Sequence, residues 1–386
     1  MFPDERKLSE EISKLRSRNG YLYAGFPKFM ALFGRDSLIS SWELAGLDSK
    51  IGIYTMEALS RLQGKKYNSI NGEGEGKILH EFYDDEEIFE RRKRDVPWLI
   101  NPNYFSVDST LLYLIVMGEI ERISGNNLHA KFANNILSAY HFLIADEIIN
   151  DLVRYFKAEK GYGLQSQSWR DGAGEMLDKI ESPVAVVGVQ GYAYAAFNYL
   201  EQIGKEIYGI DMKQISEKKE RLTQRLREEM WLEDFSYYAL ATGGNGEVEA
   251  AITSDPGHLL FSGLLSRKEE RDIIDALFDI DLFTDYGIRT LSYKDRRFDP
   301  FDYQRGSIWP NDNWIIAVGL KLRGYQNEYR RLREAVINAY EKIGFLPEYY
   351  SVDKAGNLIP INMMKVRPCY PQAWSTGAII NLLAER

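Results

Sequence analysis

Cysteine is almost absent from this chain: among 386 residues it occurs once, as Cys369. A single thiol excludes an intrachain disulfide and a thiolate metal cluster. A chain without disulfides fits a reducing compartment, so a cytoplasmic location is expected. Histidine is scarce as well, with four copies: His80, His129, His141 and His258. They form no HExxH and no tight ligand spacing, so no metal is expected. No apolar run approaches the ~18 residues of a membrane span. The opening MFPDERKLSEEISKLRSR is charged and lacks the apolar stretch of a signal peptide.

Other absences narrow the chemistry. The net charge is -9, and no basic stripe suggests a nucleic-acid partner. One dense basic run, Arg91-Arg92-Lys93-Arg94, follows the acidic run Asp84-Asp85-Glu86-Glu87. Such a mixed block reads as a solvated face. There is no GxSxG elbow and no GxxxxGK[ST] loop. The glycine-rich Asn71-Gly72-Glu73-Gly74-Glu75-Gly76-Lys77 carries two glutamates that would repel phosphate. No cofactor is called for. Acid–base work by carboxylates is the chemistry the inventory leaves.

Aromatic residues are abundant: 7 Trp, 25 Tyr and 18 Phe. Most can be assigned to the core, but aromatic rings also stack on the apolar faces of sugars. Helical periodicity dominates the pattern. Apolar stripes run through 38–45, 53–62, 107–123, 129–157, 182–203, 213–231, 268–279, 308–322, 328–343 and 372–384. Alternating strand patterns are few, with short hairpins expected near 235–253 and 349–367. No strand–helix alternation supports a parallel sheet, and no short repeat supports a solenoid. The expected fold is all-α, about ten to twelve helices in antiparallel pairs around one core. Six such hairpins closing on themselves would give an (α/α)6 toroid. One domain over residues 1–386 is the simplest organisation, with no separate N-terminal β-rich domain.

Several loops just ahead of these stripes hold more Gly, Trp, Asp and Arg than a connector needs. They include Gly34-Arg35-Asp36, Gly76-Lys77-Ile78-Leu79-His80-Glu81, Val107-Asp108-Ser109, Trp169-Arg170-Asp171-Gly172, Val189-Gln190-Gly191 and Trp309-Pro310-Asn311-Asp312. In a ring of hairpins, loops at one end converge on the axis. Each of these could instead be a helix cap or a turn. Their recurrence favours a pocket for a polyol.

In order along the chain, these strings resemble the amylo-alpha-1,6-glucosidase family, the glucosidase part of glycogen debranching enzymes. The match rests on Phe33-Gly34-Arg35-Asp36-Ser37-Leu38-Ile39, Gly76 to Glu81, Val107-Asp108-Ser109-Thr110, Val189-Gln190-Gly191-Tyr192, Pro256-Gly257-His258, Gly287-Ile288-Arg289-Thr290, Gly306-Ser307-Ile308-Trp309-Pro310, Asp312-Asn313 and Pro371-Gln372-Ala373-Trp374. The resemblance implies a six-hairpin α/α toroid and an inverting, exo-acting α-glycosidase of the debranching type. It also implies a carbohydrate partner and no metal. By residue, it implies Asp171 as general acid and Glu348, in Leu346-Pro347-Glu348, as general base. Arg35 and Asp36 would hold the terminal sugar. Trp169, Lys77, Gln190, Trp309 and Asp312 would line the pocket. Arg170 is expected to point away from Asp171, so that burial can keep the acid protonated.

Two departures from that family matter. Asn311 stands where the family reads His, and the chain begins almost at the toroid. The alternative expectation is therefore a hydrolase of a small α-glycoside, such as a disaccharide or mannosyl- or glucosylglycerate. A further alternative is a non-catalytic sugar-binding protein on the same fold.

Overall fold

The computed structural model describes residues 5–172 and 174–384. Among them, helices dominate: α1 (Glu5–Leu15), α2 (Gly34–Arg61), α3 (Glu86–Asp95), α4 (Ser109–Ser124), α5 (Leu128–Lys131), α6 (Ala133–Phe142), α7 (Gly174–Leu177), α8 (Val187–Ile203), α9 (Met212–Met230), α10 (Arg267–Leu277), α11 (Pro310–Arg323), α12 (Gln326–Ile343) and α13 (Ala373–Ala384). A kink at Asp48 divides α2 into two helices.

Six segments surround the axis: the first half of α2, α4, α8, the 3-10 helix Asp255–Ser262, α11 and α13. Each packs on the next, and α13 returns to α2, so the ring closes. The expected (α/α)6 toroid is the observed fold. Composition explains which helices lie inside. The first half of α2 is buried almost all round, as is α4 from Ser109 to Met117. The outer helices are amphipathic. In α9 only Ile215, Leu222, Leu226 and Met230 are buried, a stripe on an otherwise charged helix. The outer partners are the second half of α2, α6, α9, α10, α12 and α1, the last of these against α13.

The antiparallel pairing makes all inner segments run the same way. Their N-termini, at Gly34, Ser109, Val187, Asp255, Pro310 and Ala373, therefore share one end of the ring. The partial positive charge of each N-terminus points toward that end.

Two local expectations change. The stripe at 129–157 is not one helix. It breaks after Phe142 into a π-turn and a hairpin pairing Ile148–Ile149 with Leu152–Val153. Asn150 and Asp151 take left-handed φ values of 50° and 66°, which suit a two-residue hairpin turn and stop a helix. The fourth inner segment, an eight-residue 3-10 helix with Pro256 in its first turn, has no apolar stripe of its own in the sequence. The expected hairpin near 235–253 is present, and Ala241–Thr242 also pairs with Ala185–Val186 just before α8. Near 349–367 only the isolated bridge Val352–Leu358 closes the turn. Among the described residues, no helix is long and apolar enough to cross a membrane.

Candidate active site

At the N-terminal end of the ring lies a cavity with ≈320 Å³ of empty volume. It is lined by Phe29, Phe33, Asp36, Trp169, Asp171, Tyr303, Trp309, Glu348 and Trp374. Three carboxyls from distant parts of the chain thus meet in one aromatic cup. A wider hollow of ≈1050 Å³ opens on the outer surface between α8 and α9. Several of its charges are paired, as in Lys219–Glu201 and Arg227–Glu269, and it faces away from the carboxyl cluster.

Asp36 reaches the cavity from the first turn of α2. That helix begins close under its neighbours because of Gly34, where a Cβ would meet the Leu79 carbonyl at 2.2 Å. Burial pushes the Asp36 carboxyl up to about 8, against the attraction of Arg35; Asp171 and Glu348 push the same way as burial. Burial thus favours the neutral form of Asp36, which can donate a hydrogen bond. Arg35 lies beneath, 2% exposed. Its guanidinium donates to Asp108 at 2.8 Å and to the Gln167 carbonyl at 3.2 Å, and its remaining nitrogen stands 3.5 Å from Asp171.

Asp171 keeps 32% of its side-chain surface, and that surface faces the cavity. The carboxyl is open to a ligand yet deep within the protein, so few waters can solvate its charge. Burial raises it to about 6; Arg35 opposes the rise and Asp108 adds to it. Arg170 points away, as expected. It bonds Asp255 at 2.6 Å and the carbonyls of Thr290 and Gln304, at 2.5 and 3.1 Å. Gly172 lets this turn approach the opposite loop, since a Cβ there would meet the Tyr303 ring at 2.3 Å.

Glu348 is 2% exposed and doubly held. The Tyr303 hydroxyl donates to its Oε1 at 2.5 Å and the Cys369 N–H to its Oε2 at 2.9 Å. Burial raises this carboxyl, while both donors favour its ionised form. Trp309 organises the floor. It stacks on Tyr349 at 5.3 Å and meets Tyr303, Trp374 and Trp169 edge-on.

The cavity thus gathers Asp171, Glu348, Asp36, Trp169 and Trp309 from the sequence-level candidates, with Arg35 directly behind. Three others do not line it. Gln190 is fully buried and clamps backbone, accepting from the Val153 N–H and donating to the carbonyls of Val153 and Val186. Asp312 shares a hydrogen bond with His258 Nε2 at 2.7 Å, with Tyr192 on the other ring nitrogen, in a buried chain behind Trp169. Lys77 reaches the Gly72 carbonyl and lines a separate hollow with Phe105 and Phe156. Gln190 and Lys77 turn toward backbone and Asp312 toward a histidine, which their positions in the sequence do not reveal. Phe29 and Tyr303 were missed. Phe29 carries no motif, and the Cys369 N–H that holds Glu348 has no side-chain signature.

Fold and pocket together define a class, the helical-toroid glycoside hydrolases. The family model described as "Mannosylglycerate hydrolase MGH1-like glycoside hydrolase domain" matches residues 130–356, more than half of the chain, and the chain belongs to that family. It is 33% identical over 96 residues to the mannosylglycerate hydrolase of Rubrobacter radiotolerans, covering 24% of this chain and 21% of that protein. It is 31% identical over 107 residues to mannosylglycerate hydrolase MGH1 of Selaginella moellendorffii, covering 27% and 21%. The matched stretch spans about a fifth of the length of these curated relatives. The crystal structure of a GH63 mannosylglycerate hydrolase from Thermus thermophilus, in complex with Tris, superposes over 100% of both chains with a TM-score of 0.74. Its 17% identity makes that a likeness of fold. These matches support a toroid glycosidase family and give no support to the debranching family in particular.

Proposed function

We propose that this protein is an inverting hydrolase of a small α-glycoside, with Asp171 as general acid and Glu348 as general base. The observation that carries this reading is the pair of carboxyls on one cavity with opposed surroundings. Asp171 is open to a ligand and raised to about 6 by burial. Glu348 is enclosed and receives two donors that favour its charge. Burial raises both carboxyls, and the two donors at Glu348 oppose that rise, which suits the split into acid and base that glycoside cleavage needs.

In the reaction, Asp171 gives its proton to the glycosidic oxygen as the bond to the anomeric carbon breaks. Glu348 takes a proton from water as the water oxygen bonds that carbon from the other face. The products are the free sugar and the aglycone alcohol, with both carboxyls left in exchanged protonation states that solvent resets. Asp36, protonated near neutral pH, donates to a sugar hydroxyl. Its higher value does not make it the acid, because its carboxyl is 6% exposed while that of Asp171 opens to the cavity. Trp309 and Trp169 supply the apolar surface under the ring.

The aromatic cup is small and closely walled, since its ≈320 Å³ of empty space includes the part open to solvent. A cup this small favours a small glycoside over a branched glucan. The relatives named for mannosylglycerate hydrolysis point the same way. The test is to incubate the protein with mannosylglycerate, glucosylglycerate, α-glucosyl disaccharides and a branched dextrin, following the released anomer by NMR. The expected result is turnover of a small glycoside with the β-anomer appearing first. Preferential release from the dextrin would reject the small-substrate reading, first appearance of the α-anomer would reject inversion, and no release at all would favour a binding protein.

A further inference from the structure

A proton donor that must meet one glycosidic oxygen needs a fixed position. The Asp171 turn has no helix or strand to supply it, because residues 164–172 are irregular backbone. Side chains hold the turn instead. Just ahead of Asp171, Trp169 Nε1 and Arg170 Nε both donate to Asp255, at 2.9 and 2.6 Å. Across Asp171 itself, a single amide spans the turn. Gln304 Nε2 donates to the Trp169 carbonyl at 2.9 Å, and Gln304 Oε1 accepts from the Gly172 N–H at 3.0 Å. One partner is purely an acceptor and the other purely a donor, so the amide fits in one orientation.

Gln304 is fully buried and is itself fixed. Its N–H donates to Asp302 at 3.2 Å, and its carbonyl accepts from Arg170 Nη1 at 3.1 Å. Its neighbour Tyr303 donates to Glu348. The Tyr303 carbonyl in turn accepts from Trp309 Nε1 at 3.1 Å and from Ser307 Oγ at 2.5 Å. Two consecutive residues therefore grip the two carboxyls, Tyr303 the base directly and Gln304 the turn that carries the acid. Neighbouring Cα atoms are a fixed ~3.8 Å apart, so neither grip can shift far without the other.

We propose that Gln304 is a positioning residue for the general acid: its amide brackets the Asp171 turn, aims the carboxyl into the cavity and, through Tyr303, ties its place to that of Glu348. This rests on the assignment of Asp171 as acid and deepens the reading of the same site. The bracket also has an electrostatic side. The Gly172 N–H acts on the Asp171 carboxyl and favours its charge. Gln304 Oε1 draws that N–H away, which leaves less of it for the carboxylate. Among the described residues, the ionisable groups acting on or felt by Asp171 are Arg35 and Asp36 of α2, Asp108 ahead of α4, Glu81, Tyr303 and Glu348. Gln304 is neutral, so replacing it with another neutral residue alters none of these charges.

The experiment measures kcat and KM across pH for the wild type, Gln304→Met, Gln304→Glu and Asp171→Asn. The substrates are the best small glycoside and the glycosyl fluoride of the same sugar, whose leaving group needs little protonation. Methionine keeps the length of the side chain and removes the amide. Gln304→Met is expected to lose about 30-fold in kcat on the glycoside, with KM within about threefold, and to stay within about threefold of wild type on the fluoride. Its basic limb, set by the acid, should move to lower pH, because the freed Gly172 N–H turns to the carboxylate. Gln304→Glu offers the same donor and acceptor when its carboxyl is protonated, so its rate relative to wild type should recover as the pH falls. An equal loss on both substrates overturns the proposal, since a loosened pocket harms both. A wild-type rate in Gln304→Met, or an unmoved basic limb, overturns it too. If Gln304→Met does not fold, Gln304→Glu decides alone, and a ratio to wild type that ignores pH overturns the proposal. Asp171→Asn separates the two claims: undiminished turnover of the glycoside there would remove the acid assignment itself, and this inference with it.

Discussion

Asp171 sits in a turn with about a third of its side chain open to the cavity and a guanidinium 3.5 Å away, whereas Glu348 is enclosed and grips two fixed donors. The two carboxyls share a cavity but answer to different forces. Burial governs Asp171, so filling the cavity with substrate will strip its last water and favour the protonated form further. Burial raises Glu348 as well, and Tyr303 and the Cys369 N–H oppose that rise. The difference teaches how one pocket can keep an acid and a base side by side: Asp171 has backbone N–H groups and a guanidinium at 3.5 Å, whereas Glu348 is gripped by one hydroxyl and one backbone N–H.

The largest effects should come from removing either carboxyl. Asp171→Asn and Glu348→Gln are each expected to lose about 10³-fold in kcat on the best natural-type substrate, with the far-UV spectrum unchanged. The comparison makes the two variants separable. A glycosyl fluoride has a leaving group that needs little protonation, so Asp171→Asn should recover much of its rate on it. Glu348→Gln should not, because the water still lacks its base. Equal recovery in both variants would erase the distinction between the two walls.

Much of this arrangement is legible in the sequence, for reasons that also mark where reading stops. The inner helix α4 announces itself because Leu111 to Met117 are apolar on every face, whereas the 3-10 segment Asp255–Ser262 does not. The shared polarity of the inner segments puts the Gly34-Arg35-Asp36, Trp169-Arg170-Asp171 and Trp309 loops at one end. Rotation about each helix axis is not legible. Asp36 and Gln190 each lie in the first turn of an inner helix, yet one carboxyl faces the cavity and the other side chain clamps Val153 and Val186. Backbone donors are equally silent, which hides the role of Cys369. The break at Asn150-Asp151 had a turn signal within an apolar stripe, and there the local residues prevailed over the periodicity.

A smaller effect sharpens the base side of the comparison. Tyr303→Phe deletes a donor that stabilises ionised Glu348, so the Glu348 pKa should rise. Activity needs that carboxylate charged and is lost as the pH falls through its pKa. The acid limb of kcat/KM should therefore move up by about one pH unit, while the limb set by Asp171 near 6 stays. Movement of both limbs together would indicate that Tyr303 governs the whole pocket rather than one wall.

Asp36 offers a test by stability. Its folded value of about 8 lies above the ~3.9 of an unfolded Asp. Stability from this group is fully present below about 4 and is lost as pH rises toward 8, by up to ~1.4 kcal/mol per pH unit. Asp36→Asn lacks that slope and retains a hydrogen-bond donor. Its Tm relative to wild type should be more favourable at pH 8 than at pH 5, and kcat/KM near pH 7 should fall about tenfold or less. A large activity loss with no pH-dependent gain in Tm would mean that Asp36 works as a carboxylate, which would add a second negative charge beside that of Glu348 and undo the contrast between the walls.

The smallest catalytic effect is expected at Gln190, which lies outside both walls. Its amide joins three backbone groups, at Val153 and Val186, across the seam between the hairpin and α8. Gln190→Ala would leave buried donors and acceptors unmatched, at a cost of ~1–3 kcal/mol. Urea unfolding should register that loss, while KM on the best glycoside stays within about twofold. The reverse pattern, a raised KM with unchanged stability, would mean that this amide reaches the sugar and that the pocket extends past Trp169 toward α8. In that case the balance between Asp171 and Glu348 would have to be redrawn with a polar third wall.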